Sequence, residues 1–250
     1  MRPARAAVVV VGSEVLSGKV RDENGPWLAL RLRELGVELT ALHVVPDRVE
    51  AIVEAIELER RRVDWVFTAG GVGPTHDDVT LGAVARALGR PLERDERMAG
   101  LLRGWHARHH AGTPLPEAAL RMAELPRGTR LLGDPDFPTP VVENVALLPG
   151  VPAFLRHQFD RIADRLGGAP FHLVCLYLAL GEDGIAEPLG RVAGAHPDVE
   201  VGSYPRFDGA DHRVRVTLEG RDRARVLVAA RETVAALPAG AVLRSEGLDG

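Results

Sequence analysis

Continuous apolar runs alternate with amphipathic segments along the first two thirds of the chain. Runs rich in β-branched residues at 6–12, 37–45 and 63–71 predict strands that are buried on both faces. Segments with apolar residues every three to four positions predict helices at about 26–35, 48–62, 78–88, 94–110 and 152–166, and a later strand is predicted at 141–148. This alternation favours a three-layer α/β domain with a mostly parallel sheet and helices on both faces.

The pattern changes after "GGAP" at 167–170. From there the predicted order is strand, helix, strand, strand, helix and a short last strand, at 171–180, 182–196, 199–205, 212–220, 221–237 and 240–244. This order is the split βαβ arrangement, a small antiparallel sheet with two helices on one face. We therefore predict two domains, an α/β domain at 1–168 and a smaller α+β domain at 169–250.

Composition and charge exclude several classes of protein. The net charge of the 250 residues is −4, and the 31 basic residues form no dense run, which disfavours a nucleic-acid partner. The single cysteine, Cys175, rules out an intramolecular disulfide framework and a cysteine-based zinc site. The apolar run near the N-terminus is too short to cross a membrane. We expect a soluble cytoplasmic protein with no membrane partner.

Unusual loops follow four of the predicted strands. They contain Gly12, Ser13 and Glu14 after the first strand, Asp47 after the second, the stretch "TAGGVGPTHDDVT" (68–80) after the third, and Pro149 with Gly150 after the last. In open parallel sheets, ligands bind outside the carboxyl ends of the strands. If the strands are parallel neighbours, the four loops should therefore face one crevice.

The residue types in these loops suit phosphate. Gly70, Gly71 and Gly73 leave backbone N–H groups uncovered, and the loop leads into a helix N-terminus, which favours anions. Hydroxyl groups add further donors. The predicted phosphate- or nucleotide-binding residues are Gly12, Ser13, Gly70, Gly71, Gly73, Thr75, Thr80, Pro149 and Gly150.

Two adjacent carboxylates, Asp77 and Asp78, do not suit phosphate unless a divalent cation lies between them. Magnesium sites use one or two carboxylates together with phosphate oxygens in this way. The predicted metal ligands are therefore Asp78 and Asp77, joined by Glu14 and Asp47 from neighbouring strand ends. Asp78, Asp77 and His76 are the candidate catalytic residues, with His76 as a proton donor to a leaving phosphate.

Simpler interpretations of the same residues stay open. The spacing Thr75-x-x-Asp78 matches a capping box, so either aspartate could only cap a helix, and the glycines could serve only a tight turn. Asp47 could likewise cap a helix, and Glu14 could be a solvated surface acid. His106 and His110 share a helix face, but no acid or cysteine of ligand spacing accompanies them.

Several of these segments resemble a known family. "VVVVGSEVLSGKVRDEN", "TAGGVGPTHDDVT" and "LPGVP" are similar to the molybdopterin-binding-like domain of molybdenum-cofactor biosynthesis proteins and of competence/damage-inducible proteins. "FPTPVVENVALLPGVP" and "VGSYPRFDGADHRVRVTLEG" resemble more closely the corresponding part of eukaryotic FAD synthases. Molybdopterin adenylyltransferases typically read G-G-T-G-x-x-x-R-D-x-T at the glycine loop. Val72 and Asp77 replace the threonine and the arginine here, which weakens the adenylyltransferase interpretation.

The resemblance implies metal-dependent hydrolysis of a nucleotide pyrophosphate such as FAD or ADP-ribose. It implies a divalent metal (Mg, Mn or Co), leaves potassium open as a further cation, and suggests a homo-oligomer, either a dimer or a trimer. Two alternatives remain, a protein that binds a nucleotide or pterin without turnover and one that transfers an adenylyl group to molybdopterin.

Overall fold

The computed structural model describes residues 4–110, 112–207 and 211–248. The chain divides into two compact units, Met1–Gly168 (unit 1) and Ala169–Gly250 (unit 2). Within the described ranges, every helix is too short or too polar to cross a membrane.

Unit 1 contains eight strands and six α-helices among its described residues. The strands are β1 Arg5–Val11, β2 Glu38–Val45, β3 Trp65–Ala69, β4 Leu92–Arg94, β5 Glu124–Pro126, β6 Arg130–Leu132, β7 Thr139–Val142 and β8 Val145–Leu148. The helices are α1 Ser13–Leu16, α2 Asn24–Glu34, α3 Val49–Glu59, α4 Thr80–Ala87, α5 Glu96–His109 and α6 Pro152–Asp160. Six strands form the main sheet in the order β2-β1-β3-β8-β7-β6, and β4 pairs with β5.

The main sheet is mostly parallel and is covered on both faces, as predicted. Strands β2, β1, β3 and β8 run parallel to one another. Alternate residues of β1 enter opposite cores because successive side chains of a strand point to opposite faces. Ala7 and Val9 pack in the core that includes α3 and α4, whereas Ala6 and Val8 pack in the core that includes α2 and α6.

One predicted strand is wrong. The segment 141–148 is not a single strand but part of a hairpin, in which β7 and β8 run antiparallel and Val142 pairs with Val145. Glu143 takes a positive φ of 52° at the turn, and the Asn144 side chain donates to the carbonyls of Arg60 and Val63. These hydrogen bonds stabilise a turn that the apolar pattern of residues 141–148 did not indicate.

Several helix boundaries also differ from the sequence-based prediction, and α3 and α6 end early, at Glu59 and Asp160. Helix α2 begins at Asn24 rather than Pro26, and α4 begins at Thr80 rather than residue 78. The glycine-rich loop after β3 is consequently two residues longer than expected and includes both aspartates.

Unit 2 has the predicted β-α-β-β-α-β order. Its elements are β9 His172–Leu178, α7 Glu182–Ala195, β10 Glu200–Pro205, β11 Val214–Gly220, α8 Arg223–Ala236 and β12 Val242–Glu246. The sheet order is β10-β11-β9-β12, and all neighbouring strands are antiparallel. Both helices pack against one face, where Leu176 and Val216 meet Ile185 of α7 and Ala229 of α8 in a single core.

Candidate functional site

The carboxyl ends of four parallel strands meet at one edge of the unit 1 sheet. The Gly12 amide donates to the carbonyl of Val45 at 3.0 Å, and the Gly70 amide donates to that of Leu148 at 3.1 Å. The loop after β1 is thus joined to the end of β2, and the loop after β3 to the end of β8. The four loops therefore lie together outside the carboxyl ends of the strands, the region where open parallel sheets bind ligands, which we call the crevice.

The Gly70–Gly71 turn brings the glycine loop onto the end of β1. Gly70 has φ 109° and Gly71 has φ 66°, in the region that L side chains rarely adopt. A Cβ atom at Gly70 would overlap the Val11 carbonyl oxygen, and one at Gly71 would overlap Thr80 Oγ1. Both positions therefore require glycine for close approach as well as for backbone geometry.

The glycine amides differ in their availability to a ligand. Gly12 and Gly70 are buried, and their N–H groups are used in the hydrogen bonds to Val45 and Leu148. In contrast, the amides of Gly71, Gly73 and Gly150 have no acceptor within the described part of the chain. These three can donate to a phosphate, whereas Gly12 and Gly70 shape the crevice, which corrects their predicted role.

Ser13 and Asp47 join the first two loops. The Ser13 amide donates to Asp47 Oδ2 at 2.7 Å, and the Asp47 amide donates to Ser13 Oγ at 3.2 Å. Helix α3 has Arg48 at its N-cap and receives no side-chain cap, so Asp47 does not cap it. The Glu14 carboxylate folds back over Gly12, where Oε1 lies 2.7 Å from the position that a Cβ would take.

Asp78 organises the glycine loop rather than capping a helix. Its Oδ2 accepts hydrogen bonds from the Thr75 amide, at 2.8 Å, and from the Thr75 hydroxyl. The N-cap of α4 is Val79, without a side-chain hydrogen bond, so neither aspartate caps this helix. Because the amide and hydroxyl of Thr75 are used in this way, Thr75 supports Asp78, and its predicted role as a phosphate donor does not fit.

Thr80 is also structural. Its side chain is fully buried, its hydroxyl donates to the Gly70 carbonyl at 2.8 Å, and its amide donates to the Gly71 carbonyl at 2.9 Å. Thr80 therefore holds the glycine turn against the start of α4. The prediction that its hydroxyl contacts phosphate is wrong because that hydroxyl is buried and already paired.

His76 and Asp77 lie on the exposed part of the loop. The side chain of His76 is 97% exposed, and its Nδ1 is 3.9 Å from Asp77 Oδ1. The Thr75 side chain and Asp77's own backbone amide, with a smaller contribution from His76, lower the pKa of Asp77 below its ordinary value. Both side chains are largely exposed, at 97% for His76 and 64% for Asp77.

The predicted set of four metal ligands is not assembled. Across the residues that the structure describes, no three histidine, cysteine, aspartate or glutamate side chains are grouped so that they could hold a metal. Asp47 and Asp78 each have one carboxylate oxygen in hydrogen bonds, which leaves the other for a ligand. Two carboxylates are enough for a magnesium ion only when phosphate oxygens and water complete its coordination shell. The described residues therefore form no protein-only metal cage, and a cation here would need phosphate oxygens and water as its further ligands.

Sequence reasoning missed Asn24. This buried residue donates from Nδ2 to the Gly150 carbonyl at 2.7 Å, and its Oδ1 has no hydrogen-bond partner. Asp22 accepts from the Asn24 and Gly25 amides and so starts α2. Asp22, a residue type that is favoured at helix starts, was a signal in the sequence for a helix beginning near Asn24, but nothing local indicated the contact with Gly150. Asn24 fastens the Pro149–Gly150 loop to α2.

Comparison with known proteins assigns both units. Residues 7–167 match the family model described as "Probable molybdopterin binding domain". The chain belongs to this molybdopterin-binding domain family. Residues 170–246 match the model described as "FAD synthase, middle domain". The resemblance drawn from the sequence is therefore confirmed for both parts of the chain.

Relatives within this family differ in length. A protein of Archaeoglobus fulgidus is 31% identical over 227 residues, which cover 90% of this chain and 94% of the relative. A probable FAD synthase of Caenorhabditis elegans is 30% identical over 239 residues, covering 86% of this chain but only 46% of the relative. The crystal structure of the protein CinA of Thermoplasma acidophilum, a protein of unknown function, is 26% identical, with a TM-score of 0.58, and covers 66% of this chain and 99% of CinA.

Proposed function

We propose that unit 1 binds the phosphate groups of a nucleotide or pterin in its strand-end crevice. We further propose that it hydrolyses a nucleotide pyrophosphate such as FAD or ADP-ribose with the help of a divalent cation. The observation that carries this proposal is the presence of three uncommitted glycine amides at the edge where Asp47 and Asp78 are held. Family membership and the naming of the C. elegans relative support a ligand of this class.

Each part of the crevice has a distinct task in this proposal. The amides of Gly71, Gly73 and Gly150 bind phosphate oxygens, since backbone N–H groups in such loops are suited to anions. Asp47 and Asp78 would hold a divalent cation that is shared with the phosphates. When bound, such a cation neutralises phosphate charge and lowers the pKa of a coordinated water.

A second candidate function is binding or adenylyl transfer without hydrolysis. The exposure of His76 and the lack of a three-ligand metal group in the described ranges favour this alternative. Under it, the crevice still holds a nucleotide or pterin phosphate, but no residue of unit 1 activates water. The expected oligomer and the potassium requirement stay predictions under both candidates.

Hydrolysis is tested by incubating the chain with FAD or ADP-ribose and Mg²⁺, Mn²⁺ or Co²⁺, with and without K⁺. Released AMP is measured by chromatography, and binding is measured in parallel by calorimetry. Asp78→Ala should slow AMP release about 100-fold or more, whereas Asp164→Ala, which removes an exposed carboxylate outside the strand-end loops, should leave the rate unchanged. Binding without AMP release would favour the second candidate. Failure to bind any of these ligands would refute the proposal.

A further inference from the structure

A row of alternating tyrosine and arginine crosses the helix-free face of unit 2. In the antiparallel register, Tyr204 of β10 pairs with Arg215 of β11, Arg215 pairs with Tyr177 of β9, and Tyr177 pairs with Arg244 of β12. Directly paired residues project to the same side of a sheet. The neighbouring residues Val216 and Leu176 enter the core beneath the helices, so the row lies on the opposite face.

The side chains of this row form a cleft. The guanidinium carbon of Arg244 lies 3.3 Å from the Tyr177 ring centroid, and that of Arg215 lies 5.0 Å from the Tyr204 ring centroid. His212 meets the Tyr177 ring edge-on at 4.8 Å. Together with Pro205, Arg206 and Asp211, these residues line a cleft of about 350 Å³.

Among the described residues that line the cleft, Arg206, Arg215 and Arg244 carry positive charge and Asp211 is the single carboxylate. Asp211 accepts from His212 Nδ1 at 2.6 Å and from Arg244 Nε at 3.4 Å, so its charge is already paired. Arg206 and Arg215 form no ion pair with any carboxylate in the described ranges. Arg206 and Arg215 therefore line the cleft together with Tyr204, which is 49% exposed, and Arg215 lies over the Tyr204 ring.

We propose that this cleft binds a nucleoside monophosphate. Arg206 and Arg215 would bind its phosphate, because guanidinium forks match phosphate oxygens bidentately. The part of the Tyr204 ring that Arg215 leaves exposed would contact its base, since tyrosine offers a flat surface to any aromatic base. The proposal concerns unit 2 alone and does not depend on the function proposed for unit 1.

Size and charge favour a single nucleotide over a nucleic-acid strand. The cleft lies near the lower end of the usual range for small-ligand pockets, roughly 300–1,000 Å³. Unit 2 has nine arginines and no lysine against twelve aspartates and glutamates, so it lacks the basic surface that a run of phosphates requires.

The chain contains only two tyrosines, Tyr177 and Tyr204, and both belong to this row. Incorporation of 3-fluorotyrosine in the full chain therefore gives two ¹⁹F NMR signals that report on unit 2 and not on unit 1. Titration with AMP should shift the Tyr204 signal saturably, and inorganic phosphate or adenosine alone should bind more weakly. Arg215→Gln should weaken AMP binding about tenfold or more, because it removes a charged phosphate donor.

Arg231→Gln is the matched control. Arg231 is exposed on α8, on the helix-covered side of the sheet, so its loss changes the net charge equally without altering the cleft. Two dispersed ¹⁹F signals without ligand show that each variant is folded. Three results would overturn the proposal: no shift at millimolar AMP, equal weakening by Arg231→Gln and Arg215→Gln, or tighter binding of a single-stranded oligonucleotide than of AMP.

Discussion

Replacement of Gly71 by alanine tests how the strand-end loop of unit 1 is held. Gly71 has φ 66°, and an added Cβ would overlap Thr80 Oγ1. Gly89 provides a matched control, because it has φ 62° and no atom within 4 Å of an added Cβ. Both substitutions place an L side chain in the left-handed region, but only Gly71→Ala also displaces a neighbour.

The structure sets the expected difference between the two variants. The left-handed conformation costs an alanine about 1–2 kcal/mol, partly offset by a reduced entropy of the unfolded chain, so Gly89→Ala should lose about 1 kcal/mol. Gly71→Ala must also move the Thr80 hydroxyl, which is fully buried and donates to the Gly70 carbonyl. Leaving these buried groups unpaired costs about 1–3 kcal/mol more. We expect Gly71→Ala to lose about 2–4 kcal/mol in all.

Urea unfolding followed by tryptophan fluorescence measures these losses in unit 1, because Trp27, Trp65 and Trp105 are the only tryptophans of the chain. Thr80→Ala removes the oxygen that an alanine at position 71 would strike. The double variant of Gly71 and Thr80 should therefore lose less stability than the sum of the two single variants, by about 1 kcal/mol.

Two results would refute this account of the loop. One is a Gly71→Ala variant that is no less stable than Gly89→Ala, which would mean that Thr80 does not hold the turn. The other is strict additivity in the double variant, which would mean that the alanine methyl group and the Thr80 oxygen do not meet.

Three further predictions concern other contacts. Asp78→Ala should slow AMP release about 100-fold or more, because Asp78 is proposed to orient the cation or water. The same variant should lower the free energy of unfolding by only about 1 kcal/mol. Equal rates in the variant and the wild type would contradict the catalytic role. Asn24→Leu should cost about 1–3 kcal/mol in urea unfolding and weaken ligand binding, because the Gly150 carbonyl loses its donor; unchanged affinity would show that Asn24 does not position this loop. The hydrogen bond from Arg225 lowers the pKa of Asp198 to about 2, so this ion pair stabilises the fold above the ordinary pKa of 3.8 and its contribution is lost as the pH falls toward 2. In Arg225→Gln, carbon-detected NMR should therefore find the Asp198 pKa close to 3.8.

The sequence by itself determined the layers of the fold and the edge at which the site lies. Burial determines the spacing of apolar residues along helices and strands. The buried strand β1 and the change of fold pattern after residue 168 could therefore be predicted from short segments of sequence. The order of parallel strands then required Gly12, Asp47, Gly71 and Gly150 to share one edge of the sheet. The glycine pair was identifiable because glycine adopts positive φ far more readily than other residues.

The tertiary structure alone decided which of these residues are free to meet a ligand. Ser13 binds Asp47 from 34 positions away, and Asn24 binds Gly150 from 126 positions away. These long-range hydrogen bonds depend on how the loops pack in the folded protein, which cannot be predicted from short segments of sequence. For the same reason Thr80 could be recognised as a potential donor but not as one already paired with Gly70.

The row of tyrosine and arginine on unit 2 depended on tertiary structure in the same way. Tyr177, Tyr204, Arg215 and Arg244 are scattered over four strands, and nothing in their spacing along the chain relates them. A shift of one residue in any strand register would turn its member of the row to the other face. Pairing across the sheet, rather than the pattern along each strand, placed them side by side.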